Sequence, residues 1–241
     1  MRTLLRLTTL CLAAAGAGCA SWEPLVDGYG LGHVINPLHK PDGVVCYSGG
    51  PDQTGKDHVY TFVINGADPL CVGNLDGMCD YFRDQGFTHT HFVQPYTRYW
   101  LPDGIKEVRE KDPQAKIVIM GFSWGCNDAR SLANRLYKEG VQVDLLVYLA
   151  SDLIWNTRDS FPPNVNRVVN VRGYGLILLA TLANGDELDG ARNEKVSCRH
   201  IEVPSRQHTL EVLSEELNAL AAGPAAQAQL PTSPTSPISH R

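Results

Sequence analysis

Between residues 43 and 222, short β-branched runs alternate with longer amphipathic segments, a repeated switch of hydrophobic period that predicts a sheet flanked by helices. Strands are predicted over 43–47, 58–65, 89–95, 116–120, 143–149, 165–171 and 198–203, the second of them ending abruptly at Gly66. The predicted helix over 74–85 puts Leu75, Met78 and Phe82 on one face and is closed by Gly86. A second, over 103–110, starts at the cap Asp103 and stops before Pro113. A third, over 126–139, aligns Ala129, Leu132, Ala133 and Leu136, and a fourth, over 209–221, aligns Leu210, Leu213, Leu217 and Leu220. Strands and helices alternating at this spacing favour a mostly parallel sheet, since each crossover carries the chain back over a sheet face. The predicted class is therefore α/β, with reactive loops at the carboxyl ends of the strands.

The ends of the chain break this pattern. Residues 1–18 join Arg2 and Arg6 to an apolar run ending in small residues, as an export signal does, and the run is too short for a permanent membrane span. Gly16-Ala17-Gly18-Cys19 resembles the lipobox of bacterial lipoproteins, although Gly16 stands where an aliphatic residue is usual. Cleavage there would leave Cys19 as a lipid-bearing N-terminus, with acyl chains holding the protein at a membrane of the cell envelope. Ordinary cleavage near Ala20 is the alternative, leaving a periplasmic or secreted protein. Residues 19–42 read as a tether and 223–241, rich in Pro, Ser and Thr, as a disordered tail, so one domain over 43–222 is expected.

Composition narrows the function classes. A net charge of -5, with acidic and basic residues interspersed and no basic stripe, argues against a nucleic-acid partner. Once Cys11 and Cys19 are set aside, Cys46, Cys71, Cys79, Cys126 and Cys198 remain; a Cys71–Cys79 disulfide and small apolar core cysteines fit equally well. His89 and His91 share a strand face without a spaced partner set, so no metal is expected, and no cofactor is implied. Gly50-Pro51-Asp52-Gln53-Thr54-Gly55-Lys56 is not a phosphate loop: Asp57 replaces the needed hydroxyl residue, and a strand follows instead of preceding it.

The chemistry concentrates at Gly121-Phe122-Ser123-Trp124-Gly125, set between a predicted strand and a predicted helix. A nucleophile elbow needs that setting, with glycines two places either side of the serine where neighbouring backbone passes closely. Ser123 would then lie at a helix N-terminus, where free N–H groups favour an oxyanion. The Trp124 N–H is one expected donor and the Ala67 N–H, in Asn65-Gly66-Ala67-Asp68, the other. Ser123 needs a general base, and His208 is the candidate, in the loop before the last helix; His58 and His200 fall at predicted strand beginnings, the wrong end of a parallel sheet. For the acid that orients the imidazole, Asp152, just beyond the strand over 143–149, is favoured, with Asp186 or Asp189 as alternatives. Cys126 reads as a packing residue, and Tyr96, Trp100, Trp155 and Phe161 as rim or core aromatics.

Over 58–221 the chain resembles a family of bacterial, often exported α/β-hydrolase-like proteins with thioesterase-like and lipase-like relatives. The resemblance rests on Val63-Ile64-Asn65-Gly66-Ala67-Asp68, Gly121 to Gly125, Val143 to Val147 leading to Asp152, Pro163 to Arg167, and His208-Thr209-Leu210-Glu211. It implies an α/β-hydrolase fold and a serine hydrolase acting on a small-molecule or lipid-like ester or thioester. Only about a dozen residues separate Asp152 from the next predicted strand, which leaves no room for a large lid there. The family's elbow more often carries Leu where this chain has Trp124. A catalytically silent envelope-anchored binding protein on the same fold, and an acyltransferase using the same residues, are the alternative functions.

Overall fold

The structure is a computed structural model that describes residues 55–68, 71, 73–151, 154–173, 176–177, 180–181 and 187–231. The predicted strand over 43–47, the signal segment, the tether, Cys19, Cys46, Asp152 and Asp186 lie outside these residues. The protein is α/β. In chain order the elements are β1 (Val59–Ile64), α1 (Leu75–Asp84), β2 (Thr90–Val93), α2 (Leu101–Lys111), β3 (Lys116–Phe122), α3 (Gly125–Lys138), β4 (Leu145–Leu149), β5 (Val168–Gly173), the short pair β6 (Leu176–Ile177) and β7 (Ala180–Thr181), β8 (Arg192–Val196), α4 (Gln207–Ala222) and α5 (Pro224–Gln227).

Six strands form one sheet in the order β2-β1-β3-β4-β5-β8, and every neighbouring pair is parallel. All six β1 residues are buried, as a central strand covered on both faces requires. Alternate residues of the strands divide the core between the faces. Tyr60, Phe62, Ile117, Ile119, Leu146 and Tyr148 pack with Ile105 and Val108 of α2 and Ala129, Leu132 and Leu136 of α3. On the opposite face Val63, Val118, Met120 and Val147 pack with Leu75, Met78 and Phe82 of α1 and Leu213 and Leu217 of α4. Two helices thus cover each face.

Most predicted strands and helices fall within a few residues of the observed ones, but the last strand does not. The segment 198–203, predicted as a strand, is a turn containing the 3-10 helix His200–Glu202, closed by a hydrogen bond from Arg199 N–H to Glu202 Oε2 at 2.9 Å. The strand is instead Arg192–Val196, with the polar sequence Arg-Asn-Glu-Lys-Val. It reads as loop because it is an edge strand whose polar side chains form ion pairs and show no apolar alternation. Arg192 pairs with Glu194 at 2.8 Å, Glu215 at 2.7 Å and Glu216 at 3.1 Å.

The predicted disordered tail also begins too early. Pro224–Gln227 is helical, and the Pro231 carbonyl accepts from Arg167 Nη2 at 2.8 Å. No disulfide joins Cys71 and Cys79: Cys79 is buried among the α1 packing residues, and Cys71 Sγ accepts from Gln94 Nε2 at 3.6 Å. Among the described residues no helix is long and apolar enough to cross a membrane.

Glu216 of α4 is 1% exposed and anchors this helix to the sheet edge. Its carboxylate receives Arg167 Nε at 2.5 Å and Nη2 at 2.8 Å from the approach to β5, together with Arg192 Nη1 from β8. Removing one member of a buried ion cluster strands the others without a counter-charge. Glu216→Ala is expected to lower unfolding free energy by about 3 kcal/mol, read from a urea denaturation midpoint at constant slope.

Candidate active site at the carboxyl edge of the sheet

The strand order reverses between β1 and β3: the chain proceeds outward from β1 to β2, then returns past β1 to β3 and on to β8. Loops leaving the two strands at such a point diverge to opposite faces and leave a crevice at their carboxyl ends. β1 ends there in Asn65-Gly66-Ala67-Asp68 and β3 in Ser123.

Ser123 has φ 53°, a left-handed conformation that a non-glycine residue adopts at a cost of about 1–3 kcal/mol. It is 8% exposed. Its N–H donates to the Leu149 carbonyl at 2.9 Å and its carbonyl accepts from Cys126 N–H at 3.0 Å, so the turn is held from the neighbouring strand and from α3. Cys126 packs beneath, with Sγ 3.1 Å from the Gly121 carbonyl. The other described non-glycine residues with positive φ, Cys71, Asn74 and Ala150, also lie in loops leaving the carboxyl ends of β1 and β4. Backbone strain therefore collects at this edge, as at sites where geometry serves function.

Three glycines make the turn feasible by close backbone approach. A Cβ on Gly121 would stand 2.4 Å from the Gly125 carbonyl oxygen, and one on Gly125 would stand 2.4 Å from that of Ile64. A Cβ on Gly66 would lie 2.5 Å from the Phe122 carbonyl oxygen, 2.9 Å from Ser123 Cβ and 3.0 Å from the Trp124 nitrogen. The β1 loop and the elbow are thus in contact. Asn65 shapes that loop: its Oδ1 accepts from Gly66 N–H at 2.8 Å, while its Nδ2 donates to the Asp68 carbonyl at 2.9 Å and to Gln94 Oε1 at 3.1 Å. Gly66 N–H is thereby occupied. Among the described residues, the Ala67 and Trp124 N–H groups have no protein acceptor.

The predicted base and acids fare differently. His208 lies on the first turn of α4, its side chain 51% exposed, with Nε2 3.2 Å from Glu194 Oε2 on the edge strand β8. It is not hydrogen-bonded to Ser123. Asp189 is held by the loop after β4, its Oδ2 accepting from Asn156 Nδ2 at 2.6 Å and its N–H donating to Asn156 Oδ1 at 3.2 Å. Of the expected rim aromatics, Trp100 is buried edge-on to Phe62 and Phe161 packs on the core, whereas Trp155 is exposed; Trp124 is exposed as well. His89 stacks on Tyr60 and His91 on Phe62 as packing rings.

His200, expected at a strand beginning, stands elsewhere. Once 198–203 is a turn after β8 and not a strand, this histidine moves to the carboxyl edge. The turn packs over the end of β5, where a Cβ on Gly173 would stand 2.6 Å from Val203 Cγ2. His200 is 2% exposed, and its ring lies 5.3 Å from that of Phe122, the residue before Ser123. Burial pushes its pKa down to about 4, against a smaller upward pull from the Asp68 carboxylate. Ser151, beside Ala150 at the end of β4, is also buried, with no partner for its hydroxyl among the described residues.

On the α2–α3 side a cleft of about 290 Å³ runs from Ile64 along α3, with Asp128, Ser131, Leu132 and Arg135 on one wall and Arg98 and Tyr99 opposite. Arg98 Nε pairs with Asp128 Oδ1 across it at 3.2 Å. Trp124, exposed at the start of α3, precedes Asp128 by four residues.

Comparison of the sequence with protein-family models finds no match, and comparison with curated proteins finds no similar sequence.

Two outcomes follow from this geometry. Gly66→Ala is expected to displace the β1 loop from the elbow and cost about 1–3 kcal/mol in a denaturation experiment, because the clash is with backbone. His200 binds a proton in the unfolded chain below about pH 6.5 but in the folded chain only near pH 4. Its contribution to stability is therefore complete above pH 6.5 and lost as pH falls towards 4. The melting temperature of His200→Gln should fall less steeply than that of the unsubstituted protein across this window.

Proposed function

We propose that the protein is a serine hydrolase of the α/β-hydrolase type that cleaves an ester or thioester through an acyl-enzyme on Ser123. The observation that carries this reading is the left-handed Ser123 at the reversal point of the sheet, with Gly66 packed on it and two N–H groups without protein acceptors beside it. In this mechanism Ser123 Oγ attacks the substrate carbonyl, and the oxyanion accepts from Ala67 and Trp124 N–H, assisted by the α3 dipole. A histidine in the segment after β8, which contains His200 and His208, takes the serine proton and returns it to the leaving group. Water then repeats the sequence to release the acid.

The orienting carboxylate in the sequence-based form of this reading is Asp152, just beyond β4. The cleft along α3 offers space for one side of a small ester. Attachment of the chain to an envelope membrane through a lipid on Cys19 completes the proposal; in that setting the substrate is lipid-like or periplasmic.

Incubating the full chain with a fluorophosphonate probe and locating the adduct by mass spectrometry tests the reading. Labelling of Ser123 alone, abolished in Ser123→Ala together with turnover of a short p-nitrophenyl ester, is expected. A folded chain that neither labels nor turns over would leave a binding protein on this fold, whereas labelling with transfer to an added alcohol in preference to water would indicate an acyltransferase.

A further inference from the structure

We infer that His200, and not His208, is the general base that activates Ser123, and that Asp68 is the carboxylate that acts on its imidazole. This rests on the serine-hydrolase reading and assigns the base and acid within that site.

A base must come from the carboxyl edge of the sheet, close to the elbow and shielded enough to hold one orientation. His200 meets these conditions: its turn covers the end of β5, it is 2% exposed, and its ring lies 5.3 Å from Phe122. His208 is exposed and paired with Glu194, whose partner across the sheet is Val171, within β5 and not at its end. That pair fastens the first turn of α4 to the edge strand.

Asp68 belongs to the loop that touches Ser123 through Gly66. Its Oδ2 accepts from Gly73 N–H at 2.7 Å, which fixes the carboxylate. A Cβ on Gly73 would stand 3.0 Å from Phe122 Cε1 and 3.2 Å from Asp68 Oδ2, so the Phe122 ring and the Asp68 carboxylate border one small space. The His200 ring lies against the same Phe122. Asp68 is also the charged group whose field raises the proton affinity of that ring. The imidazole is neutral at pH 7 and ready to accept a proton, and Asp68 favours the cation that results.

In acylation the Ser123 O–H proton passes to the His200 imidazole as Oγ bonds to the acyl carbon. The acyl–leaving-group bond then breaks, and the imidazolium returns the proton to the leaving oxygen or sulfur. Deacylation repeats both transfers with water, so no proton or electron is gained or lost overall.

The test compares fluorophosphonate labelling rates of full-length wild type, His200→Gln, His208→Gln, Asp68→Asn and Asp152→Asn, with near-UV circular dichroism as the folding control. His200→Gln is expected to slow Ser123 labelling by about a hundredfold or more, and His208→Gln by no more than a few fold. Asp68→Asn is expected to lower kcat and shift the acid limb of the kcat/KM profile to lower pH, since removing a negative charge weakens the base; a purely structural role would not move that limb. Labelling lost in His208→Gln but retained in His200→Gln, or an acid limb that moves in Asp152→Asn and not in Asp68→Asn, would overturn the inference alone. An unlabelled wild type would overturn it together with the hydrolase reading. If His200→Gln fails to fold, the direction of the acid limb in Asp68→Asn decides.

Discussion

The close passage of three backbone segments at the reversal point of the sheet is the constraint on which the candidate site depends. The start of α3 lies on the end of β1, the strand β3 lies on the start of α3, and the β1 loop lies on the elbow, each at a separation that a single added carbon would violate. Gly125, Gly121 and Gly66 are the residues at those contacts. With them in place, Ser123 is confined to a left-handed conformation at the crevice. The strain is offset by hydrogen bonds from β4 and α3, so the turn is a product of the packed sheet and not a local preference of the serine.

The same packing explains why the polar groups of the site remain oriented. Asn65 is fully buried and uses its amide to occupy Gly66 N–H and to fix the Asp68 carbonyl, which holds the loop on either side of Ala67. Asp68 is held in turn by Gly73 N–H. A loop held by its own side chains in this way does not need to reorganise when charge develops beside it, which is the condition under which fixed dipoles stabilise a transition state most strongly.

At the other margin of the sheet, ion pairs take over the role that apolar packing plays in the centre. Glu216, Arg167 and Arg192 hold α4 against β5 and β8, and the pair between His208 and Glu194 extends that fastening to the first turn of the helix. A histidine with position and context suited to catalysis is thereby given a structural partner, and a second histidine eight residues earlier is brought to the elbow.

The sequence by itself determined the α/β class, the central strands, the amphipathic faces of the four main helices and the elbow, because each of these is written in local spacing: period two in buried strands, one apolar stripe per helix, and glycines two places either side of Ser123. It also put Ala67 in the loop after β1 and Trp124 directly after the serine, through their distance from strand ends. It misplaced β8 because Arg192, Asn193, Glu194 and Lys195 carry no apolar alternation; an edge strand that satisfies its side chains with ions does not need one. That error put His200 at the wrong end of the sheet and left His208 as the expected base. Only the tertiary structure sets the surroundings of the two histidines, because ring contact with Phe122, the field of Asp68 and pairing with Glu194 are relations among residues 14 to 132 positions apart in the chain, and no local pattern records them.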